Sequence, residues 1–273
     1  MLRQQSNMNA YQIAQEISQF QLNVDRKEYV RSLMTELSTI TGRPVEEHLL
    51  PFHERHGNVN FILASGDLNP LLITAHYDAY VMHGDTTTPG ANDNGSGVGA
   101  VFQAASELGD LAVDFVIFGG EEIGCRGSTE YLALNKSIRG VVNLDTCGSG
   151  GNLGILVPRV VQVGDGELME TDAILNQAFI NSAESNDFLL CLDDPLAIGD
   201  HCPFLRSGIP ATTIQGEDWD FFGIVDGEYD KRKMIMHSPN DTIDWVDEAF
   251  LNDVVKVLVE GTRSLLIGVK GSL

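Results

Sequence analysis

The stretch Pro70-Leu-Leu-Ile-Thr-Ala-His76 decides the fold. Its apolar run is short and unbroken rather than alternating, the pattern of a strand buried on both faces. Such a strand needs a layer of helices on either side. The chain downstream supplies them. Ser96–Leu108 reads as a helix, Ala112–Phe118 as a strand, Ser128–Leu134 as a helix and Gly140–Leu144 as a strand. Glu170–Ser185 then reads as a helix, Asp200–Ser207 as a short one, Ile209–Ile214 as a strand, and Asp247–Leu266 as a closing amphipathic helix. Upstream, Ile13, Ile17 and Phe20, then Val30, Leu33, Met34 and Leu37, recur at helical spacing and stop at Gly42-Arg-Pro44. Glu47–Leu63 reads as extended segments turning at His56-Gly57. The expected fold class is α/β, a three-layer sandwich with a mixed, mostly parallel central sheet covered by helices on both faces. No repeat or long linker divides the chain, so residues 1–273 are expected to form one domain, with the helices of residues 1–45 packed on the sheet.

Composition narrows the partners. Seventeen Lys and Arg stand against 39 Asp and Glu, a formal charge of −22 that repels phosphate backbones and excludes nucleic acid. No apolar run approaches the ~20 residues that cross a bilayer, so no membrane partner is expected. The start, Met1–Ala10, has no apolar stretch of the secretory kind, and a cytoplasmic location is expected. Cys125, Cys147, Cys191 and Cys202 lack CxxC spacing and are expected to be free thiols.

In open sheets of this class ligands gather at the carboxyl ends of the strands. The acidic and histidine residues collect there. His76 and Asp78 end the first central strand, Glu121-Glu122 follow the second after Gly119-Gly120, and Asp145 ends the third. Asp93 lies in the loop Pro89-Gly-Ala-Asn-Asp-Asn-Gly-Ser-Gly97 that enters a helix. Five carboxylates in one cleft repel each other unless cations sit among them. A mixed imidazole and carboxylate set suits zinc better than calcium or magnesium. Two ions bridged by one carboxylate, about 3.5–4 Å apart, would match hydrolytic two-metal sites.

The segments His-Tyr-Asp (76–78), PGANDNGSG (89–97), FGGEEIGCRGS (118–128), Asn-Leu-Asp (143–145), DHCPFLRSGIPA (200–211) and MHSPNDT (236–242) resemble, in order, the blocks of the M28 peptidases, the co-catalytic dizinc aminopeptidases. The resemblance runs from about His76 to the end. It implies two zinc ions, one held by His76, Asp93 and Asp145, the other by Asp93, Glu122 and His237. It implies that Glu121 is the general base and that Asp78 is the carboxylate fixing the His76 tautomer. A cis peptide bond after Asp93 is implied as well. The expected activity is removal of N-terminal residues from peptide substrates. Thr146, Cys147 and Met236, beside ligand positions, and Trp219 and Phe222, in an aromatic stretch before His237, are the expected substrate contacts.

Other readings stand beside these. Glutaminyl cyclases share the fold and nearly the same acidic and histidine set but use one zinc. The short Gly124–Tyr131 segment, where the animal cyclases carry an insertion, favours the peptidase. A non-catalytic relative that binds metal is a third reading. Asp200 and Asp241 can both be read as helix caps. His201 is read as packed, and His48, His53, His56 and His83 as local or surface residues. Asp226–Lys233 is expected to be a solvated loop.

Overall fold

The computed structural model describes residues 8–151, 153–163, 167–192, 197–225 and 228–267. Eight α-helices are present among them: α1 (Ala10–Ile17), α2 (Asn23–Thr41), α3 (Gly97–Leu108), α4 (Arg126–Leu132), α5 (Ala173–Ser185), α6 (Cys202–Arg206), α7 (Trp219–Phe222) and α8 (Glu248–Ile267). The strands in chain order are β1 (Val45–Leu49), β2 (Val59–Leu63), β3 (Leu71–His76), β4 (Val81–His83), β5 (Thr86–Thr87), β6 (Val113–Phe118), β7 (Gly140–Leu144), β8 (Gly154–Leu156), β9 (Val160–Val163), β10 (Glu167–Glu170), β11 (Leu190–Cys191), β12 (Ala211–Glu217), β13 (Ile224–Val225) and β14 (Glu228–Tyr229).

The main sheet has eight strands in the order β1-β2-β6-β3-β7-β12-β8-β11. Its centre, β6-β3-β7-β12, is parallel throughout, and antiparallel pairs join β1 to β2, β2 to β6 and β12 to β8. The mixed, largely parallel sheet read from the sequence is therefore the one found. The run that predicts it behaves as expected. Leu71, Ile73 and Ala75 of β3 enter a core under α1, α2, α3, α5 and α8, and Leu72 enters a second core with Tyr131 of α4 and Phe204 of α6. β6 divides the same way, Val113, Phe115 and Ile117 against Val116 and Phe118. With both faces covered, a one-residue slip would exchange two differently shaped apolar surfaces, which fixes the register.

The differences from the sequence reading lie in short elements. Residues 154–156, 160–163, 167–170 and 190–191 form brief strands with no periodicity to betray them. The helix expected from Glu170 begins at Ala173, after Asp172 accepts from the amides of Ile174 and Leu175. β12 runs on to Glu217 because its second half pairs with β8. Positions 226–227 of the expected loop lie outside the described residues, as do 1–7 of the chain's start. Among the described residues no helix is long and apolar enough to cross a membrane. Cys125, Cys147, Cys191 and Cys202 form no disulfide among the described residues.

Candidate metal centre

Three neighbouring parallel strands, β6, β3 and β7, end at one edge of the sheet and set the site. His76 closes β3 opposite Phe118, and Asp145 follows Leu144 of β7. After β6 the chain turns through Gly119-Gly120, with Gly120 at φ +73°, where a Cβ would meet the Phe52 ring at 2.5 Å. That turn brings Glu121-Glu122 back over the edge. Asp93 belongs to an irregular turn, Ala91–Ser96, whose Asp93–Asn94 peptide bond is cis. His237, at φ +59°, comes from the loop before α8.

These residues converge in two sets, His76 with Asp93 and Asp145, and Asp93 with Glu122 and His237. Asp93 belongs to both. Its Oδ1 lies 3.3 Å from His76 Nε2, and its Oδ2 lies 3.2 Å from His237 Nε2. Asp145 Oδ1 is 3.6 Å from His76 Nε2, and Glu122 Oε2 is 3.0 Å from His237 Nε2. Ligands held about 2.0–2.2 Å from a tetrahedral zinc stand roughly 3.3–3.6 Å from each other, so these spacings agree to a few tenths of an ångström. His76 Nε2 and Glu122 Oε1 are buried and make no hydrogen bond among the described residues. The donor set is short of positive charge.

The electrostatics agree. Burial works against a charged His76, yet the neighbouring carboxylates of Asp145, Asp78 and Asp93 lift its pKa well above the ordinary value. Burial likewise opposes the charge on His237, and Asp93 and Glu122 overcome it, raising the ring to about 11. Asp93, despite its burial, is held low by the two imidazoles. Burial, then the charge of Asp93, lifts Glu122 to about 7. Burial also raises Asp145. The carboxylates draw both rings toward the cationic form, a field that dications would satisfy.

The braces differ from the sequence reading in three places. His76 Nδ1 faces the backbone carbonyl of Asp78 at 3.0 Å, while the Asp78 carboxylate is 3.7 Å away. The Asp78 carboxylate instead accepts from the amides of Glu121 (3.1 Å) and Glu122 (3.2 Å), so it orients the glutamate pair. Asp241 is not a helix cap. It accepts from the amides of Asn92 (2.9 Å) and Asp93 (3.1 Å) and holds the turn that carries Asp93. Asp200 caps nothing either; Ser128 Oγ donates to it at 2.5 Å in full burial. Both caps looked plausible because each Asp precedes a helix by a few residues, and only tertiary contact redirects them. His201, read as packed, is fully buried.

A cavity of about 370 Å³ opens beside the two sets and reaches Asp93, Glu121, Asp145 and His237. Of the expected substrate contacts, Thr146, Phe222 and Met236 line it. Cys147 does not: it is fully buried, its thiol directed at the carbonyls of Asp145 and Ile214. Trp219 does not either, since it lies outside the cavity and is 47% exposed at the start of α7. Gln215 and Ile224, from the stretch 215–225 before His237, line it too, and the walls the sequence did not point to are Ala197, Ile198, Tyr229 and Met234. They come from loops and from the two-residue strand β14, too short to carry a periodic signal.

Residues 58–262 match the model of peptidase family M28. The chain belongs to that family. This M28 chain is 28% identical over 188 residues to aminopeptidase YwaD of Bacillus subtilis, covering 64% of the chain and 36% of YwaD. Its fold matches that of the LapA aminopeptidase of Legionella pneumophila at a TM-score of 0.73 and 16% identity, over 94% of the chain and 71% of LapA. It matches glutaminyl cyclase of Porphyromonas gingivalis at 0.71 and 18% identity, over 94% of the chain and 98% of the cyclase. The M28 chain spans about half the length, or less, of the curated relatives it matches first.

Proposed function

We propose that the protein is a zinc-dependent aminopeptidase holding two ions, one between His76, Asp93 and Asp145, the other between Asp93, Glu122 and His237. The observation that carries this reading is Asp93, whose two oxygens face two separate imidazole and carboxylate sets. Bound dications there supply an acidified water and polarise an amide carbonyl.

The protein's own groups do the rest. Glu121 belongs to neither set, lines the cavity and is raised well above the usual carboxylate range by burial. With its own proton released, the Glu121 carboxylate takes the proton of the attacking water and passes it to the leaving amine. Asp78 aims it by fixing its amide, and Cys125 Sγ lies 3.4 Å from its Oε1. The acidic centre draws a free α-amino group, which favours removal of the first residue. Ala197, Ile198, Phe222, Ile224, Met234 and Met236 offer the side chain of that residue an apolar enclosure, suiting leucine, methionine or phenylalanine.

The second reading, cyclisation of N-terminal glutamine with one zinc, has one observation in favour. The cyclase from P. gingivalis matches over nearly its whole length, though at an identity that bears on fold alone. One experiment separates the readings: metal content together with the products formed from leucyl-p-nitroanilide and from a glutaminyl peptide. Two zinc per chain with released p-nitroaniline supports the peptidase. One zinc with pyroglutamate formation replaces it by the cyclase, and metal without turnover leaves a binding protein.

A further inference from the structure

The first turn of α2 carries two polar residues where its apolar face should continue. Asn23 and Arg26 sit in register with Val30, Leu33 and Leu37, at spacings of three and four, and are as deeply buried as they are. Both precede the family-matched segment 58–262. Each holds a loop of the metal centre. Asn23 Oδ1 accepts from the amide of Ala79 at 2.8 Å, and its Nδ2 donates to the carbonyls of Ala79 (3.0 Å) and Arg55 (2.9 Å), which closes a two-way clamp just after His76 and Asp78. Arg26 Nη2 donates to the carbonyls of Phe20 (3.1 Å), Thr88 (3.0 Å) and Pro89, at the start of the loop that carries Asp93.

The two loops meet at Gly90. Its φ is +57°, and a Cβ there would lie 2.6 Å from Asp93 O, 3.0 Å from the Ala79 Cβ and 3.5 Å from Arg26 Nη1. Arg26 Nε and Nη1 make no hydrogen bond among the described residues. Carbonyl contacts therefore use only part of the guanidinium, and what favours a full charge at this depth is the field of Asp241, Asp78, Asp93 and Glu122, all of which act on it. Burial lowers its pKa to about 10, and these carboxylates oppose the fall, so it stays cationic at neutral pH.

We infer that Asn23 and Arg26 are positioning residues of the metal centre, and that Arg26 is a fixed counter-charge which keeps the acidic cage assembled when no dication is present. This inference rests on the metal reading above. Arg26 and the dications then act together on Asp93 and Glu122, one permanently and the other on binding, and Arg26 also offsets Asp241 and Asp78. Removing the guanidinium should cost most in the metal-free protein, where no dication adds to the His76 and His237 rings in offsetting the repulsion.

The test compares thermal unfolding of wild type, Arg26→Gln and Arg26→Lys, each with chelator and with saturating zinc, alongside zinc affinity by chelator competition. In metal-free protein R26Q should lose roughly 10 °C in Tm. Zinc should recover most of that loss, so the R26Q chain should show a larger zinc-induced rise than wild type and no weaker zinc binding. R26K keeps the charge but not the planar fork, and should fall between the two. If R26Q cannot be obtained folded with chelator, refolding in zinc decides: recovery supports the counter-charge, and failure in zinc as well overturns it. Equal losses with and without zinc, or R26K behaving as R26Q, would show that Arg26 only ties down chain and would overturn the inference. A wild type whose unfolding ignores zinc would overturn the metal reading itself, a result visible before any variant is compared.

Discussion

Replacing Glu121 by Gln tests the chemistry with the least disturbance to the structure. The side chain is half-buried, lines the cavity and stands in neither donor set, so its amide isostere should leave the bound metal unchanged. Its backbone amide still reaches Asp78, which keeps Glu122 in place. A positioned general base contributes roughly 10²–10⁴-fold, so kcat should fall by that factor, about 2.7–5.4 kcal/mol of barrier. Stability should move the other way. Burial raises the folded pKa of Glu121 above its unfolded value, so above the unfolded pKa the native state holds a proton that the unfolded chain has released. Stability from this group is complete below that unfolded value and is lost as pH rises through the folded pKa. The Gln variant has no such loss, and in metal-free protein its advantage should grow toward alkaline pH. The assays are zinc content by atomic emission, hydrolysis of leucyl-p-nitroanilide, and denaturant unfolding at several pH values. Full activity with zinc intact would refute the assignment of the base. Loss of zinc along with activity would place Glu121 among the ligands instead.

Other perturbations give separable outcomes. Asp93→Ala removes the one carboxylate common to both sets and should abolish binding of both ions, whereas His237→Ala should leave one, as counted by equilibrium dialysis. Chelation should lower Tm: zinc at a hundredfold excess over its Kd adds about 2.7 kcal/mol, or roughly 5–10 °C for a chain of this size, and calorimetry with and without chelator measures it. Phe222→Ala widens the cavity and should cut kcat/KM for leucyl substrates by about tenfold while leaving zinc content alone, as a kinetic comparison with the parent would show. Burial lowers the His201 ring to about 3. Between its unfolded pKa of about 6.5 and that value the unfolded chain binds a proton the native state does not, so stability falls as pH falls through this window. At pH 5 the loss is about 2 kcal/mol, and urea unfolding of metal-free His201→Gln should show an acid limb flatter by that amount.

The sheet was legible because its central strands are buried on both faces and therefore read as short, mostly apolar runs rather than alternating ones. Pro70–His76 and Val113–Phe118 have no competing pattern. The donors were legible for a related reason: His76, Glu121-Glu122 and Asp145 stand directly after such runs, so finding the strands placed the residues at one edge. The braces were not. Asp241 sits where a cap is expected, and only the fold reveals that its carboxylate reaches back 149 positions to the amide of Asn92. Asn23 and Arg26 did leave a trace, as polar residues in phase with Val30, Leu33 and Leu37 on a helix whose opposite face is exposed. Buried polar residues on an apolar stripe need partners, and that demand is a usable signal.

Selectivity was the least legible part because it is built from a different kind of chain. Donors rise from strand ends and are locked by carboxylates that accept from main-chain amides, Asp78 from Glu121 and Glu122, Asp241 from Asn92 and Asp93. Such locks orient the clustered side chains independently of any ion, so on the proposed metal reading the chemistry should tolerate little change in these residues. The cavity walls at Ile198, Phe222, Ile224 and Met234 belong to loops and short elements outside this scaffold. Side chains there can change size without moving a donor. It follows that substitutions at those four positions should shift the preferred first residue while zinc stoichiometry stays constant, and substitutions at Asp78 or Asp241 should do the reverse. A cavity variant that lost zinc, or an Asp241→Ala variant that kept full zinc affinity, would show that scaffold and walls are not independent.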